Sequence, residues 1–134
     1  MKSEFYGEAE DFFVEGDGPV DVKEDHFKTS NLNEMTNLER VQHAQLITAI
    51  KTPYTKSGRI DLNAYDKLIQ DQIAAGVDGI IVAGTTGEGH LMNWDENLTL
   101  IEYCAAEYGD KLCIIGNTGS NSTRECIKAT NEGF

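Results

Sequence analysis

The spacing of apolar and polar positions changes at about residue 36. Before it, the segments EAEDFF, EGDGP and DVKEDHF mix charge, glycine and aromatics with no sustained repeat. After it the spacing is periodic. The TNLE tetrapeptide at 36–39 has capping-box order, with a Thr hydroxyl for one free N–H and a Glu reaching back, and it predicts a short helix through Gln42 and His43. LITAI at 46–50, bounded by Thr52-Pro53, predicts a buried strand. Ser57-Gly58 marks a turn. Asp61 then stands where it caps a helix carrying Leu62, Tyr65, Leu68, Ile69, Ile73 and Ala74 at i, i+3, i+4 spacing, with Gly76 as the stop.

The unit repeats. Residues 79–83 (GIIVA) are apolar at consecutive positions, which predicts a strand buried on both faces, as in a parallel sheet. The GTTGEG loop at 84–89 follows. Asp95 is expected to cap a second helix with Leu98, Leu100, Ile101, Cys104 and Ala105, ending near Gly109. LCIIG at 112–116 predicts a third strand. NTGSNS at 117–122 then leads into a third helix with Cys126, Ile127 and Ala129, closing at Gly133. Strand, loop and helix three times over is an α/β pattern with a parallel sheet. Open sheets and closed barrels both produce it.

Charge divides the chain at the same place. The formal net charge is −12, and residues 1–45 hold 11 of the 23 acids but only 4 of the 11 bases. High net charge without periodicity is the composition of a disordered tail, so residues 1–35 are expected to be disordered, although Phe5, Tyr6, Phe12, Phe13 and Phe27 give them something to dock with. The excess of acid argues against nucleic acid and anionic membranes as partners. Apolar runs reach only five or six residues, against the ~20 of a membrane helix. The front of the chain has neither the basic, apolar start of a secretory signal nor the acid-poor composition of a transit peptide.

Cys104, Cys113 and Cys126 match no zinc spacing and read as reduced thiols of a core. His26, His43 and His90 are too scattered to hold a metal.

Chemistry is expected beyond the carboxyl ends of the strands, where ligands bind in both parallel architectures. Two loops there, 84–89 and 117–123, are rich in Gly, Thr, Ser and Asn. The second opens a helix, whose free N–H groups favour an anion. Together the loops suggest a pocket for a small carboxylate or phosphate. The G-x-x-G-x-G order reverses the dinucleotide fingerprint, and no G-K-[ST] is present. On spacing alone, ordinary tight βα turns explain these residues equally well.

GTTGEGHLMNWDE at 84–96 and GNTGSNSTRE at 116–125, with LITAIKTPY at 46–54, resemble the opening of the dihydrodipicolinate synthase family in its plant-type form. That family belongs to the pyruvate-dependent class I aldolases, which are (β/α)₈ barrels. GTTGE is shared with N-acetylneuraminate lyases, while NTGSNSTRE and Trp94 favour the plant-type synthases. The resemblance covers residues 36–134 and leaves the acidic tail unexplained.

The resemblance implies a partial (β/α)₈ barrel, the first three βα units. It also implies a lyase that joins pyruvate to L-aspartate 4-semialdehyde through a Schiff base, in lysine biosynthesis by the diaminopimelate route, with no cofactor and no metal. Thr85 would serve a hydroxyl proton relay and Thr86 would bind the pyruvate carboxylate, a role that suits a hydroxyl beside backbone N–H groups. Lysine, the feedback inhibitor, would meet Gly89, His90, Trp94, Asn97, Asn121 and Glu125. Asn97 stands where the family usually has histidine. The implied assembly is a homotetramer and the implied compartment the chloroplast stroma, or the cytoplasm for want of a transit peptide.

In the family the Schiff-base lysine lies on a later strand, and none of Lys51, Lys56, Lys67, Lys111 or Lys128 is at the matching place. A complete barrel of this kind takes roughly 250 residues. The expectation is therefore the amino-terminal part of such an enzyme, inactive alone and poorly soluble because its sheet edges are open. Two alternatives stand beside it: a non-catalytic lysine-binding or interaction piece, and an aldolase for another aldehyde, as in the N-acetylneuraminate lyases.

Overall fold

The computed structural model describes residues 29–133, with side chains from Leu32 onward. Of residues 1–35, expected to be disordered, 1–28 lie outside the described residues, whereas Leu32 is buried. A 3₁₀ segment, Thr29–Glu34, leads in. Helix α1 (Asn37–His43) starts with the expected capping box: Thr36 accepts from the Glu39 N–H, and Glu39 accepts from the Thr36 N–H at 2.8 Å. That contact holds the Glu39 carboxyl below its ordinary pKa.

Three strands, β1 (Ile47–Ala49), β2 (Gly79–Val82) and β3 (Cys113–Gly116), form one parallel sheet in the order β1-β2-β3. Helices α2 (Leu62–Ala74) and α3 (Trp94–Tyr108) make the crossovers, and α4 (Thr123–Glu132) follows β3. Asp61 caps α2 through the Ala64 N–H at 3.1 Å. Gly76 ends it with φ 79°, a left-handed turn that favours glycine.

Helices α2 and α3 cover one face of the sheet. Thr48 Oγ1 on β1 hydrogen-bonds Gln72 on α2 at 2.8 Å, and the space beside Gly116 on β3 is filled by Ile101 of α3. Neighbouring α2 and α3 are tied by Asp66, whose Oδ1 accepts from Tyr103 at 2.5 Å and Tyr108 at 2.8 Å. Ile80 and Val82 of β2 belong to a buried core with Tyr65, Ile69, Leu100 and Cys104. The opposite face carries the row Ala49, Ile81, Ile115, aligned by the strand register. Ile81 and Ile115 are only half-buried, and Ala49 is exposed.

Helices on a single face, with strands in chain order, separate this sheet from a doubly wound one, which carries helices on both. It is an arc of a (β/α)₈ barrel, three βα units of a partial TIM barrel. The expectation of burial on both faces holds for the helix-covered side. On the other face of β2, Gly79 and Ala83 are buried and Ile81 is half-buried, whereas Ala49 on the edge strand β1 is exposed. The 46–50 run likewise shortens to an edge strand, with Leu46 exposed and Ile50 buried.

Candidate functional site

Backbone geometry concentrates at the carboxyl end of β2. Ala83 and Glu88 both take left-handed dihedrals, φ 53° and 60°, and they bracket the GTTG turn. Each such residue costs about 1–2 kcal/mol, a strain that surrounding contacts must hold. The Gly89 N–H returns to the Gly84 carbonyl at 3.1 Å, and a Cβ on Gly89 would sit 1.8 Å from the Ala83 carbonyl oxygen. Only glycine fits there. The loop thus closes on its own start and presents the Thr85 and Thr86 hydroxyls as exposed groups.

The second loop is stitched to the first. Asn117 Nδ2 donates to the Ala83 carbonyl at 2.9 Å, and its Oδ1 accepts from the Gly119 N–H at 3.2 Å. Ser122 caps α4 through Glu125 N, and Ser120 Oγ donates to the Glu125 carboxylate at 2.7 Å. Thr118 and Thr130 hydroxyls meet at 2.9 Å, holding the loop on its helix.

Between these loops lies a cleft of about 850 Å³ that includes Thr85, Asn117 and Ser120 in its walls. That size is within the range of about 300–1,000 Å³ common for small-molecule sites. Its α4 side carries Glu125, Lys128 and Glu132, and its opposite wall carries His90, Trp94 and Asn97. The Trp94 indole N–H donates to Glu132 Oε2 at 2.5 Å. Asn97 is 6% exposed, and its Oδ1 is buried without a hydrogen-bond partner. An unpaired buried carbonyl oxygen asks for a donor. With the Glu125 carboxylate and that acceptor, the cleft is equipped for an N–H-rich cation, and its Asn and Ser groups for a carboxylate.

Residues 42–134 match the dihydrodipicolinate synthetase family. The chain belongs to that family. The chloroplastic 4-hydroxy-tetrahydrodipicolinate synthase of Zea mays is 50% identical over 107 residues, which cover 80% of this chain and 28% of the maize protein. Synthase 1 of Arabidopsis thaliana is 54% identical over 99 residues, 74% of this chain and 27% of that protein. The crystal structure of the synthase from Cyanidioschyzon merolae with lysine bound superimposes with a TM-score of 0.60 at 38% identity, over 66% of this chain and 30% of that one. The chain spans less than a third of the length of these relatives.

For this member of the dihydrodipicolinate synthase family, the structure brings Gly89, His90, Trp94, Asn97, Asn121 and Glu125 to one cleft, together with Thr85. Thr86, exposed on the same loop, does not line it. Tyr54 lies at this end of the sheet too: burial, and then the Glu88 and Glu96 carboxylates, raise its phenol above the ordinary value.

Three features escaped the sequence reading. Asn93, not Asp95, caps α3, forming a capping box in which Asn93 accepts from Glu96 N at 2.9 Å and Glu96 from Asn93 N at 3.0 Å. The N-x-x-E spacing carried that signal, and Asp95 falls in the first turn instead. Asn117 and Glu132 were not singled out, and no local pattern marks either. The cysteines divide: Cys104 and Cys113 are buried, whereas Cys126 is half-buried beside Ser120. Among the described residues, no helix is long and apolar enough to cross a membrane.

Proposed function

We propose that this chain forms the amino-terminal βα units of a 4-hydroxy-tetrahydrodipicolinate synthase, a lyase that condenses pyruvate with L-aspartate 4-semialdehyde on the route to diaminopimelate and lysine. The observation that carries the reading is the GTTG turn held between left-handed Ala83 and Glu88, at the strand end where barrel enzymes keep their chemistry. Here Thr85 relays protons and Thr86 binds the pyruvate carboxylate. The Schiff base needs a desolvated lysine of lowered pKa. All five lysines among the described residues are exposed, so that nucleophile is assigned to chain beyond these residues. The neighbouring cleft takes lysine, with Glu125 and Asn97 on an ammonium, Asn121 on the carboxylate and Trp94 over the stem. The parent enzyme is a homotetramer of the chloroplast stroma, a reading supported by the chloroplast named for its plant relatives.

The test is a chimera in which residues 42–134 replace the matching segment of the maize enzyme. Condensation of pyruvate with the semialdehyde is expected to persist, and Thr85→Val in the chimera is expected to lower kcat by about 10²-fold or more, the scale of one positioned proton-transfer group. The 134-residue chain by itself is expected to trap no pyruvate on borohydride reduction. Trapping on this chain, or an inactive but folded chimera, overturns the proposal.

A further inference from the structure

Glu132 is badly placed for its own helix. It lies in the last turn of α4, where the dipole disfavours a carboxylate and favours Lys, Arg or His. It also follows Lys128 at i+4, with 3.7 Å between Nζ and Oε1, the order of signs that supports a helix less well. A residue that conflicts with its local element points to a role elsewhere. That role is visible across the cleft, where Glu132 Oε2 receives the indole N–H of Trp94, 38 positions earlier in the chain.

Trp94 is the first residue of α3 and is half-buried. An indole has one donor, so pinning that donor fixes the swing of the ring. The bond joins the start of α3 to the end of α4, the two helices that wall the cleft. Glu132 and Glu125 lie seven residues apart on α4, two turns along one face, so both carboxylates look onto the same space. The buried, partnerless Oδ1 of Asn97 stands on the opposite wall and independently demands an N–H donor.

We infer that Glu132 is a positioning residue of this cleft: it holds the Trp94 indole so that the ring covers the stem of an ammonium-bearing ligand, and it sets how tightly such a ligand is held. The inference rests on the lysine reading above. It adds a residue that acts through Trp94 rather than by touching the ligand.

Trp94 is the single tryptophan, so its fluorescence in the full 134-residue chain reports the contact with no ligand present. Glu132→Leu is expected to shift the emission to longer wavelength and open the indole to acrylamide quenching. Glu132→Gln keeps an acceptor and is expected to stay close to wild type. With lysine as the probe in calorimetry, E132L is expected to bind roughly tenfold more weakly, the worth of about one lost hydrogen bond to a charged group. The double variant W94F/E132L should bind no more weakly than W94F, because Glu132 acts through the indole N–H. If E132L loses its far-UV helical signal, Glu132→Ala takes its place. Unchanged emission and quenching in the folded variant, or additive losses in the double variant, overturn the inference. Failure of the wild-type chain to bind lysine overturns the lysine reading, and the emission arm then decides Glu132's hold on Trp94.

Discussion

The side-chain amide of Asn117 holds the carbonyl of Ala83 at 2.9 Å, across the gap between the two βα loops. Ala83 is the residue at which β2 turns left-handed, so one loop braces the strained start of the other. Asn117→Ala removes this bond and the acceptor of the Gly119 N–H. It is expected to cost about 1–3 kcal/mol, seen as a lower urea midpoint with an unchanged m-value. Asn117→Asp keeps the size but turns a carboxylate toward a carbonyl, and should be no better than alanine.

Gly89→Ala is expected to be worse. Its methyl would collide with backbone, the Ala83 carbonyl, rather than with a side chain that can rotate away. The expected cost is at least about 3 kcal/mol, at the severe end for single substitutions, and circular dichroism with thermal melting measures it.

Stability should fall in alkali in a window set by Cys104. Burial, first, raises its thiol to about 11 from an ordinary 9, with the Asp66 charge adding to the shift and the Tyr65 hydroxyl opposing it. A raised pKa means that the neutral thiol is favoured in the fold. Its contribution is full below pH 9 and drains away as pH rises through about 11, a loss of roughly 3 kcal/mol. Urea midpoints taken across that range should slope downward, and Cys104→Ala should flatten the slope. Tyr108, raised by burial, and Tyr103, raised by its bond to Asp66, add losses of the same sign at higher pH.

The three thiols should separate kinetically. Cys104 and Cys113 are buried with raised pKa values, and the thiolate is the reacting form. Cys126 is half-buried, on the first turns of α4. Ellman's reagent on the native chain should release one fast equivalent, abolished by Cys126→Ala, and two slow ones. Equal rates for all three would contradict the packing described.

Asn93→Ala should cost about 1 kcal/mol, the worth of an N-cap, and Asp95→Ala only a few tenths of that. This pair marks where sequence reading was sufficient and where it was not. Thr36, Asp61 and Gly76 were legible because caps and stops depend on three or four neighbouring residues. Asn93 obeys the same rule, and Asp95, a plausible cap two residues on, obscured it. The exposure of Ala49 was not legible, because an LITAI run has the same composition at an edge as at the centre of a sheet. Trp94 and Glu125 were singled out through motif resemblance alone, whereas Thr85 also stood in a Gly- and Thr-rich loop beyond a strand end. The Trp94–Glu132 and Asn117–Ala83 contacts join residues 38 and 34 positions apart, and nothing local encodes them.

Strands in chain order have a consequence for the chain as it is made. Ile47 pairs with Gly79 and Gly79 with Cys113, so each strand docks on the one synthesised just before it, over two loops of similar length. Closure entropy is therefore nearly equal at both steps. Among the described residues, those that wall the cleft run from Thr85 to Glu132. These parts of the cleft therefore leave the ribosome in one run, with no distant segment of the described chain needed to bring them together.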